Sequence, residues 1–283
     1  MENAIVCQGV EKEYDNFTLS LPNFHVEKGT VHGLVGANGS GKTTTLKLLL
    51  GLLKPSNGSV TVLGGNHIDD DQELRQNIGF IIEDASLPSM LNPIEIGKMM
   101  KGIYHRWDAA LYMKMLKNFD LDPKKPFRKC SRGMKVKIQL AVALSHGAEL
   151  LILDEPTSGL DPVAREEILE LLGTFCMDEN HTILISSHIT SDLEKLCDYV
   201  TLLEQGSIRL SAEKDSLLES YRLVRIAAKH FEDIETNTIV GMKRNDFAIE
   251  LLMKTDDIPS FATGQRVDLE TLIIMMAKKG DWS

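Results

Sequence analysis

The spacing of apolar residues divides the first third of the chain into short segments. Some alternate apolar and polar residues, the two-residue period of a half-buried strand, and others are continuous apolar runs typical of buried strands. The predicted strands are 4–10, 17–26, 30–35, 59–63 and 78–82. Residues 42–53 have helical spacing, and residues 54–58 are turn formers. This order predicts two antiparallel strands followed by strand–helix units.

Helical spacing dominates from Asn92 to His146. Pro93 predicts the start of one helix, Asp108 is a predicted N-cap, and Ser131 is a predicted N-cap for a helix ending near Ser145. Apolar runs then return. The later predicted strands are 150–153, 182–186 and 200–203. Strands that alternate with helices predict an α/β fold with a largely parallel sheet, interrupted by a helical insert.

After Ser211 the composition of the chain changes, and residues from about Tyr221 onward predict a small α+β appendage. It would hold a strand over 223–227 and a last helix over 268–279. A chain of 283 residues lies at the upper end of what one core supports. We therefore expect a main domain over 1–211, including a helical subdomain at about 84–147, and an accessory region over 212–283.

Net charge and cysteine content limit the partners and the cellular environment that we expect for this chain. The chain has 41 acidic and 31 basic residues, a net charge of -10, which argues against a sequence-independent grip on nucleic acid, so no nucleic acid partner is expected. Four scattered cysteines without a C-x-x-C pair indicate reduced thiols in a cytosolic protein. The apolar stretches are shorter than the roughly twenty residues of a membrane-spanning helix. Any membrane role is expected to require another chain.

Residues 36–44, GANGSGKTT, carry the strongest chemical signal. They follow a predicted strand, open a predicted helix and match G-x-x-x-x-G-K-[ST], in which glycines let backbone N–H groups surround phosphate oxygens. Lys42 would neutralise the β- and γ-phosphates of ATP, and Thr43 would ligate Mg²⁺. The plainer interpretation is a glycine-rich turn that caps a helix. The predicted nucleotide contacts are Gly36, Ala37, Asn38, Gly39, Ser40, Gly41, Lys42, Thr43 and Thr44.

The predicted strand 150–153 ends in a second motif, Asp154-Glu155. Such a strand delivers both carboxylates to the sheet edge where open α/β folds bind ligands. Asp154 would hold Mg²⁺, and Glu155 would orient and deprotonate an attacking water. A single Asp-Glu pair at the end of a strand is usually only solvent-exposed. The phosphate-binding motif in the same chain favours a catalytic site here.

In this order the motifs resemble the nucleotide-binding subunit of an ATP-binding cassette (ABC) transporter, over roughly 1–211. The resemblance implies a P-loop NTPase (ABC ATPase) core with an antiparallel β subdomain, and two subunits that sandwich two ATP molecules head to tail. Residues 156–161, PTSGLD, match the D-loop, which implies that Asp161 touches the partner's phosphate loop. His188 matches the histidine that senses the γ-phosphate, and Tyr14 the aromatic residue that stacks on adenine. By themselves, a lone His and a lone Tyr are more often structural.

Two segments depart from the family pattern. The signature Leu-Ser-Gly-Gly-Gln reads as residues 130–134, CSRGM, which retain Ser131 and Gly133. Arg132 either adds a phosphate-directed charge or faces solvent or a neighbouring chain. Glu83 replaces the Q-loop glutamine, which keeps an oxygen for the metal but loses the amide donor. Both departures resemble ABC-2 type exporters of bacterial peptide export and immunity systems.

The resemblance implies an ATP hydrolase, with ATP and Mg²⁺ as cofactors, that energises a separately encoded integral membrane permease. Its expected place is the cytoplasmic face of the membrane, as a homodimer or as a heterodimer with a second ATPase chain. A soluble ABC ATPase that remodels ribosomes or nucleic acid complexes is the alternative, and a small-molecule P-loop kinase is a third class. In the family, residues 84–107 form the groove that receives the permease. The apolar residues of that segment are either core or docking surface.

Overall fold

The computed structural model describes residues 2–65, 71–82, 87–244 and 248–277. Within them the strands are β1 (Asn3–Tyr14), β2 (Phe17–Glu27), β3 (Val31–Val35), β4 (Asn57–Val62), β5 (Ile78–Ile81), β6 (Leu150–Asp154), β7 (Thr182–Ser187), β8 (Tyr199–Glu204), β9 (Ser207–Glu213), β10 (Tyr221–Ile226), β11 (Ile239–Arg244), β12 (Ile249–Lys254) and β13 (Gly264–Arg266). The α-helices are α1 (Lys42–Leu49), α2 (Gln72–Gln76), α3 (Pro93–Lys101), α4 (Ala109–Asn118), α5 (Arg132–Ser145), α6 (Pro162–Phe175), α7 (Thr190–Leu196), α8 (Lys214–Ser220) and α9 (Leu269–Ala277).

In the described residues, nine strands form one sheet in the order β4-β1-β2-β9-β8-β3-β7-β6-β5. The strands from β8 to β5 in this order pair in parallel, and every residue of β3, β6 and β7 is buried. Continuous apolar runs, rather than alternation, are what strands covered on both faces require. β1 and β2 pair antiparallel, as predicted. The carboxyl ends of β3, β6 and β7 therefore meet at one edge of the sheet.

Helix α1 ends at Leu49, so the predicted extension to Leu53 is wrong. Gly51 has a φ of 67°, a left-handed conformation that glycine adopts without strain. The amide of Gly51 donates to Leu48 O and that of Leu52 to Lys47 O, which satisfies the last carbonyls of the helix. The helix therefore ends one turn before the last residue of its apolar pattern.

The predicted helical insert contains α3, α4 and α5, which enclose a core of their own around Ile96, Tyr112 and Ile138. Their starts agree with the sequence: Pro93 is the first residue of α3, while Asp108 and Ser131 accept hydrogen bonds as N-caps of α4 and α5. Residues 84–86, the beginning of the predicted subdomain, and Glu83 lie outside the described residues.

The C-terminal strands form a second sheet, in the order β11-β12-β10-β13 within the described residues. β10 lies on the predicted strand 223–227, and α9 lies on the predicted last helix, whose residues 278 and 279 are outside the described part. Leu217, Leu252 and Leu272 belong to the same hydrophobic cluster as Leu153 and Ile185 of the main sheet. The accessory region thus shares a core with the α/β domain.

Candidate nucleotide site

The loop between β3 and α1 has the shape that its glycines allow. Gly39 and Gly41 have φ values of 80° and 110°, which side chains strongly disfavour. A Cβ on Gly36 would lie 2.3 Å from Leu203 O and 2.5 Å from Ser40 Oγ. Ala37, Asn38 and Gly39 are exposed, so their backbone is open to a ligand.

Lys42 turns back along this loop. Its ammonium group donates to Gly36 O at 2.8 Å, and Nζ lies 3.6 Å from Oε1 of Glu155. The side chain is almost completely buried, at 7% exposure. A buried cation held beneath exposed backbone N–H groups makes the loop strongly anion-binding.

Asp154 connects the end of β6 with α1 and β7. Thr43 Oγ1 donates to its Oδ2 at 2.7 Å, and Ser186 Oγ donates to its Oδ1 at 2.6 Å. Both hydroxyls orient the carboxylate, which is 9% exposed. The arrangement places two hard oxygen donors, Thr43 Oγ1 and Asp154 Oδ2, side by side, the ligand type that Mg²⁺ prefers. Among the described residues no group of three or more His, Cys, Asp and Glu could hold a metal ion.

Glu155 is held in a strained conformation next to His188. Its φ is 50°, uncommon for a residue with a side chain, and its amide donates to both O and Oγ of Ser186, each at 3.1 Å. His188 Nδ1 lies 2.6 Å from Glu155 Oε2, and the His188 amide donates to the same oxygen at 3.2 Å. The Glu155 carboxylate is therefore fixed between His188 and Lys42.

The structure brings together Lys42, Thr43, Asp154, Glu155 and His188, while other predicted site residues make their contacts elsewhere. Ser131 accepts from Met134 N at the start of α5, and Asp161 accepts from Val163 N and Ala164 N at the start of α6. A Cβ on Gly133 would contact Leu160 at 3.5 Å, and Arg132 packs near Gly159. The signature segment thus lies against the segment that follows Glu155.

Tyr14 lies near the ring of Phe17, which in turn lies next to the phosphate loop. It is 46% exposed, and its centroid lies 6.3 Å from that of Phe17. Phe17 Cζ in turn lies 3.2 Å from the position of a Cβ on Gly41. Thr44 is half-buried on α1.

Sequence reasoning missed Phe17 and Ser186. Ser186 lies near the end of β7, two residues before His188, so its position relative to that histidine was the available signal. Phe17 offered none, because its contact with Gly41 arises from the fold of the β1–β2 hairpin.

Similarity to known proteins identifies the family of this chain. Residues 19–158 match the ABC transporter family. The lantibiotic transport ATP-binding protein SrtF of Streptococcus pyogenes is 35% identical over 242 residues, which cover 84% of this chain and 98% of that protein. This chain belongs to the ABC transporter family. The predicted family is therefore confirmed.

A second relative of this chain is the bacitracin transport ATP-binding protein BcrA of Bacillus licheniformis, 37% identical over 203 residues. That match covers 71% of this chain and 64% of the relative, so the chain spans less than two thirds of that protein's length. The ATP-binding subunit of an ABC transporter superimposes with a TM-score of 0.66 at 28% identity, over 76% of this chain and 91% of that one. The predicted P-loop ABC ATPase fold is confirmed.

Proposed function

We propose that this chain is the ATP-binding and ATP-hydrolysing subunit of an exporter, which energises a separately encoded ABC-2 type permease. The observation that carries the proposal is the convergence of Lys42, Asp154, Glu155 and His188 at the phosphate loop, with Glu155 2.6 Å from His188 and 3.6 Å from Lys42. The ribosome-remodelling alternative finds no support in relatives named transport ATP-binding proteins.

Each residue takes a part in phosphoryl transfer to water. Lys42 and the loop N–H groups bind the β- and γ-phosphates. Glu155 accepts a proton from the attacking water as the water oxygen bonds to the γ-phosphorus. The bond from that phosphorus to the β,γ-bridging oxygen breaks, and its electron pair leaves with ADP. His188 keeps the Glu155 carboxylate in place and reports the γ-phosphate.

Thr43 and Asp154 fit a Mg²⁺ site, since both present oxygen atoms of the type this ion binds. When bound, Mg²⁺ neutralises charge on the phosphate oxygens. Glu83, the third proposed ligand, lies outside the described residues.

Ser131, Gly133 and Asp161 support a head-to-tail dimer. Within this chain their hydrogen bonds and packing contacts lie around α5 and α6. We therefore propose that they bind phosphate in the site of a second subunit. Because Glu155 and His188 are both present, a homodimer would have two competent sites, and a heterodimer with a second ATPase chain is the alternative. Size-exclusion chromatography of Glu155→Gln with and without Mg-ATP tests this, and a variant that binds ATP yet stays monomeric would contradict it.

An apolar groove offers a surface for the permease. A cavity of about 480 Å³ is lined by Leu52, Phe80, Ile103 and Tyr104, and it continues into one of about 250 Å³ through Phe80 and Tyr104. Leu52, Phe80 and Ile103 are 54%, 38% and 50% exposed, which is typical of an interaction site when such residues cluster. Among the described residues, no helix is long and apolar enough to cross a bilayer. We propose that a permease bound at this groove holds the chain at the cytoplasmic face of the membrane.

The proposed cargo is a peptide or an amphipathic compound, because relatives are named for the transport of bacitracin and lantibiotics. Phosphate release from Mg-ATP by the purified protein, alone and with its permease in lipid vesicles, tests the proposal. We expect basal hydrolysis and stimulation by the permease. A protein that releases no phosphate in either state would overturn the assignment.

A further inference from the structure

The last helix of the chain packs on the helix that follows His188. α7 begins at Thr190, two residues after His188. Its Leu193 shares a hydrophobic cluster with Leu269 and Leu272 of α9, and all three side chains are completely buried. The helix nearest the switch histidine therefore rests on the C-terminal region.

The C-terminal sheet supports α9 from a further side. A Cβ on Gly241 of β11 would lie 2.4 Å from Met275 O of α9, so glycine permits a very close approach of strand and helix. A movement of this sheet would consequently be passed to α9, because packed interfaces transmit displacement.

Glu194 joins α7 to α9 by polar contacts. Its Oε2 accepts from the amide of Leu269, the first residue of α9, at 3.1 Å. That amide has no carbonyl partner within its own helix, and a carboxylate there is also favoured by the helix dipole. Lys214 Nζ donates to the Glu194 carbonyl at 2.7 Å, so both the side chain and the backbone of Glu194 are bound to the C-terminal region, residues 212–283.

Asp192 ties the other side of α7 to the catalytic segment. It is 1% exposed and accepts from Thr157 Oγ1 and from Arg165 Nε, each at 2.6 Å. Thr157 is the second residue after Glu155. α7 is thus bound to the Glu155 segment at Asp192 and to the C-terminal region at Glu194.

α9 also lines a cavity of about 480 Å³ beside the phosphate loop. Asn38, Ser40 and His188 line it together with Glu270, Ile273 and Ile274 of α9. His188 therefore borders the same cavity as α9 and is also connected to that helix through α7.

We propose that Glu194 is a positioning residue for hydrolysis, through which the C-terminal region sets the position of His188 and hence of Glu155. This inference rests on the proposed ATPase function. It gives the C-terminal region a part in turnover: displacement of α9 releases α7 and loosens the hold of His188 on Glu155 Oε2. Binding of ATP, which depends on the phosphate loop, is left almost unchanged.

The first test compares Glu194→Ala with Glu166→Ala. Glu166 also contacts α7, through Lys195 at an exposed face, and provides a matched control. We expect Glu194→Ala to lower kcat on the order of tenfold, within the range of a hydrogen bond to a charged group. The KM for ATP should change little, the thermal midpoint should fall by only a few degrees because the hydrogen bond to Leu269 is lost, and Glu194→Gln, which retains an acceptor oxygen, should recover most of the rate. A kcat equal to that of Glu166→Ala would overturn the proposal.

The second test places Glu194→Ala in a His188→Ala background. If Glu194 acts through His188, the second substitution should lower the residual rate less than about twofold, because residues acting through one another are not additive. An undiminished tenfold loss would show that Glu194 acts by another route.

Hydrogen exchange of the amides of residues 186–190 provides a measurement that does not need hydrolysis. We expect faster exchange in Glu194→Ala and wild-type exchange in Glu166→Ala, because loss of the tie lowers the free energy of local opening. Unchanged exchange in both would overturn the coupling. A wild-type protein without ATPase activity would instead refute the proposed function, and the exchange result would still decide the coupling.

Discussion

The nucleotide site and the apolar groove both contain buried titratable side chains, but the two regions differ in how these side chains are hydrogen-bonded. Around the phosphate loop, Lys42 bonds to Gly36 O, and Asp154 accepts from two hydroxyls. In the groove, His146 stacks on Tyr104 at 3.9 Å, and its Nε2 has no hydrogen-bond partner among the described residues. Burial lowers the pKa of His146 to about 4, so it is neutral at pH 7.

The difference indicates two kinds of surface. The nucleotide site is organised before its ligand arrives, as catalysis by positioning requires. The groove leaves several large apolar side chains exposed, as expected of a surface that a second protein covers. Substitutions in the first should therefore affect the chemistry of the isolated chain. Substitutions of the exposed apolar residues in the second should affect its response to a permease and leave that chemistry intact.

The largest effect is expected for Glu155→Gln. Loss of the group that accepts the proton of water should slow hydrolysis by about 10² to 10⁴ while ATP still binds. Phosphate release and equilibrium binding of ATP, measured on the same preparation, check both statements. Hydrolysis close to the wild-type rate would remove Glu155 from its assigned role.

Lys42→Ala should instead weaken ATP binding itself. The lost ammonium group makes a charge-assisted contact with phosphate, and removal of such a contact should lower ATP affinity by about 10- to 100-fold. Titration with a fluorescent ATP analogue measures this. Unaltered affinity in a folded variant would contradict the phosphate-loop assignment.

Phe80→Glu tests the other surface. We expect basal hydrolysis within about twofold of wild type and permease binding at least about tenfold weaker, since buried aromatic residues dominate many interfaces. Met177→Glu is the matched control, because Met177 is 84% exposed and lies in a different depression, with residues 174–181. Equal permease stimulation in both variants would show that the groove is not the docking surface.

The smallest effect concerns stability and pH. His146 is neutral in the folded state with a pKa of about 4, whereas the unfolded chain protonates it near 6.5. As pH falls from 6.5 to 4, the unfolded state binds more protons, so the free energy of unfolding decreases; below about pH 4 this contribution levels off. His146→Gln should reduce the slope by up to roughly 1 kcal/mol per pH unit. Urea denaturation at several pH values measures it, and parallel slopes would show that folding does not lower the pKa of His146.

Element starts were predictable where a local signal exists. Pro93, Asp108 and Ser131 mark helix starts because an N-cap or a fixed φ acts within one turn. The end of α1 was mistaken because the apolar pattern continues to Leu53, while the left-handed Gly51 ends the helix. The strands β9 and β11 to β13 were not predicted, since their stability comes from cross-strand partners rather than from their own pattern.

By itself the sequence determined the phosphate loop, the two carboxylates at the carboxyl end of β6 and the family, because glycine spacing and the order of motifs are local properties of the chain. Only the tertiary structure decided which groups support them. Ser186 meets Asp154 at 2.6 Å across 32 positions, and Glu194 meets Leu269 at 3.1 Å across 75. Such contacts depend on the pairing of strands and the packing of α7 against α9. They form only when the whole core packs, and no short segment of the sequence specifies that packing.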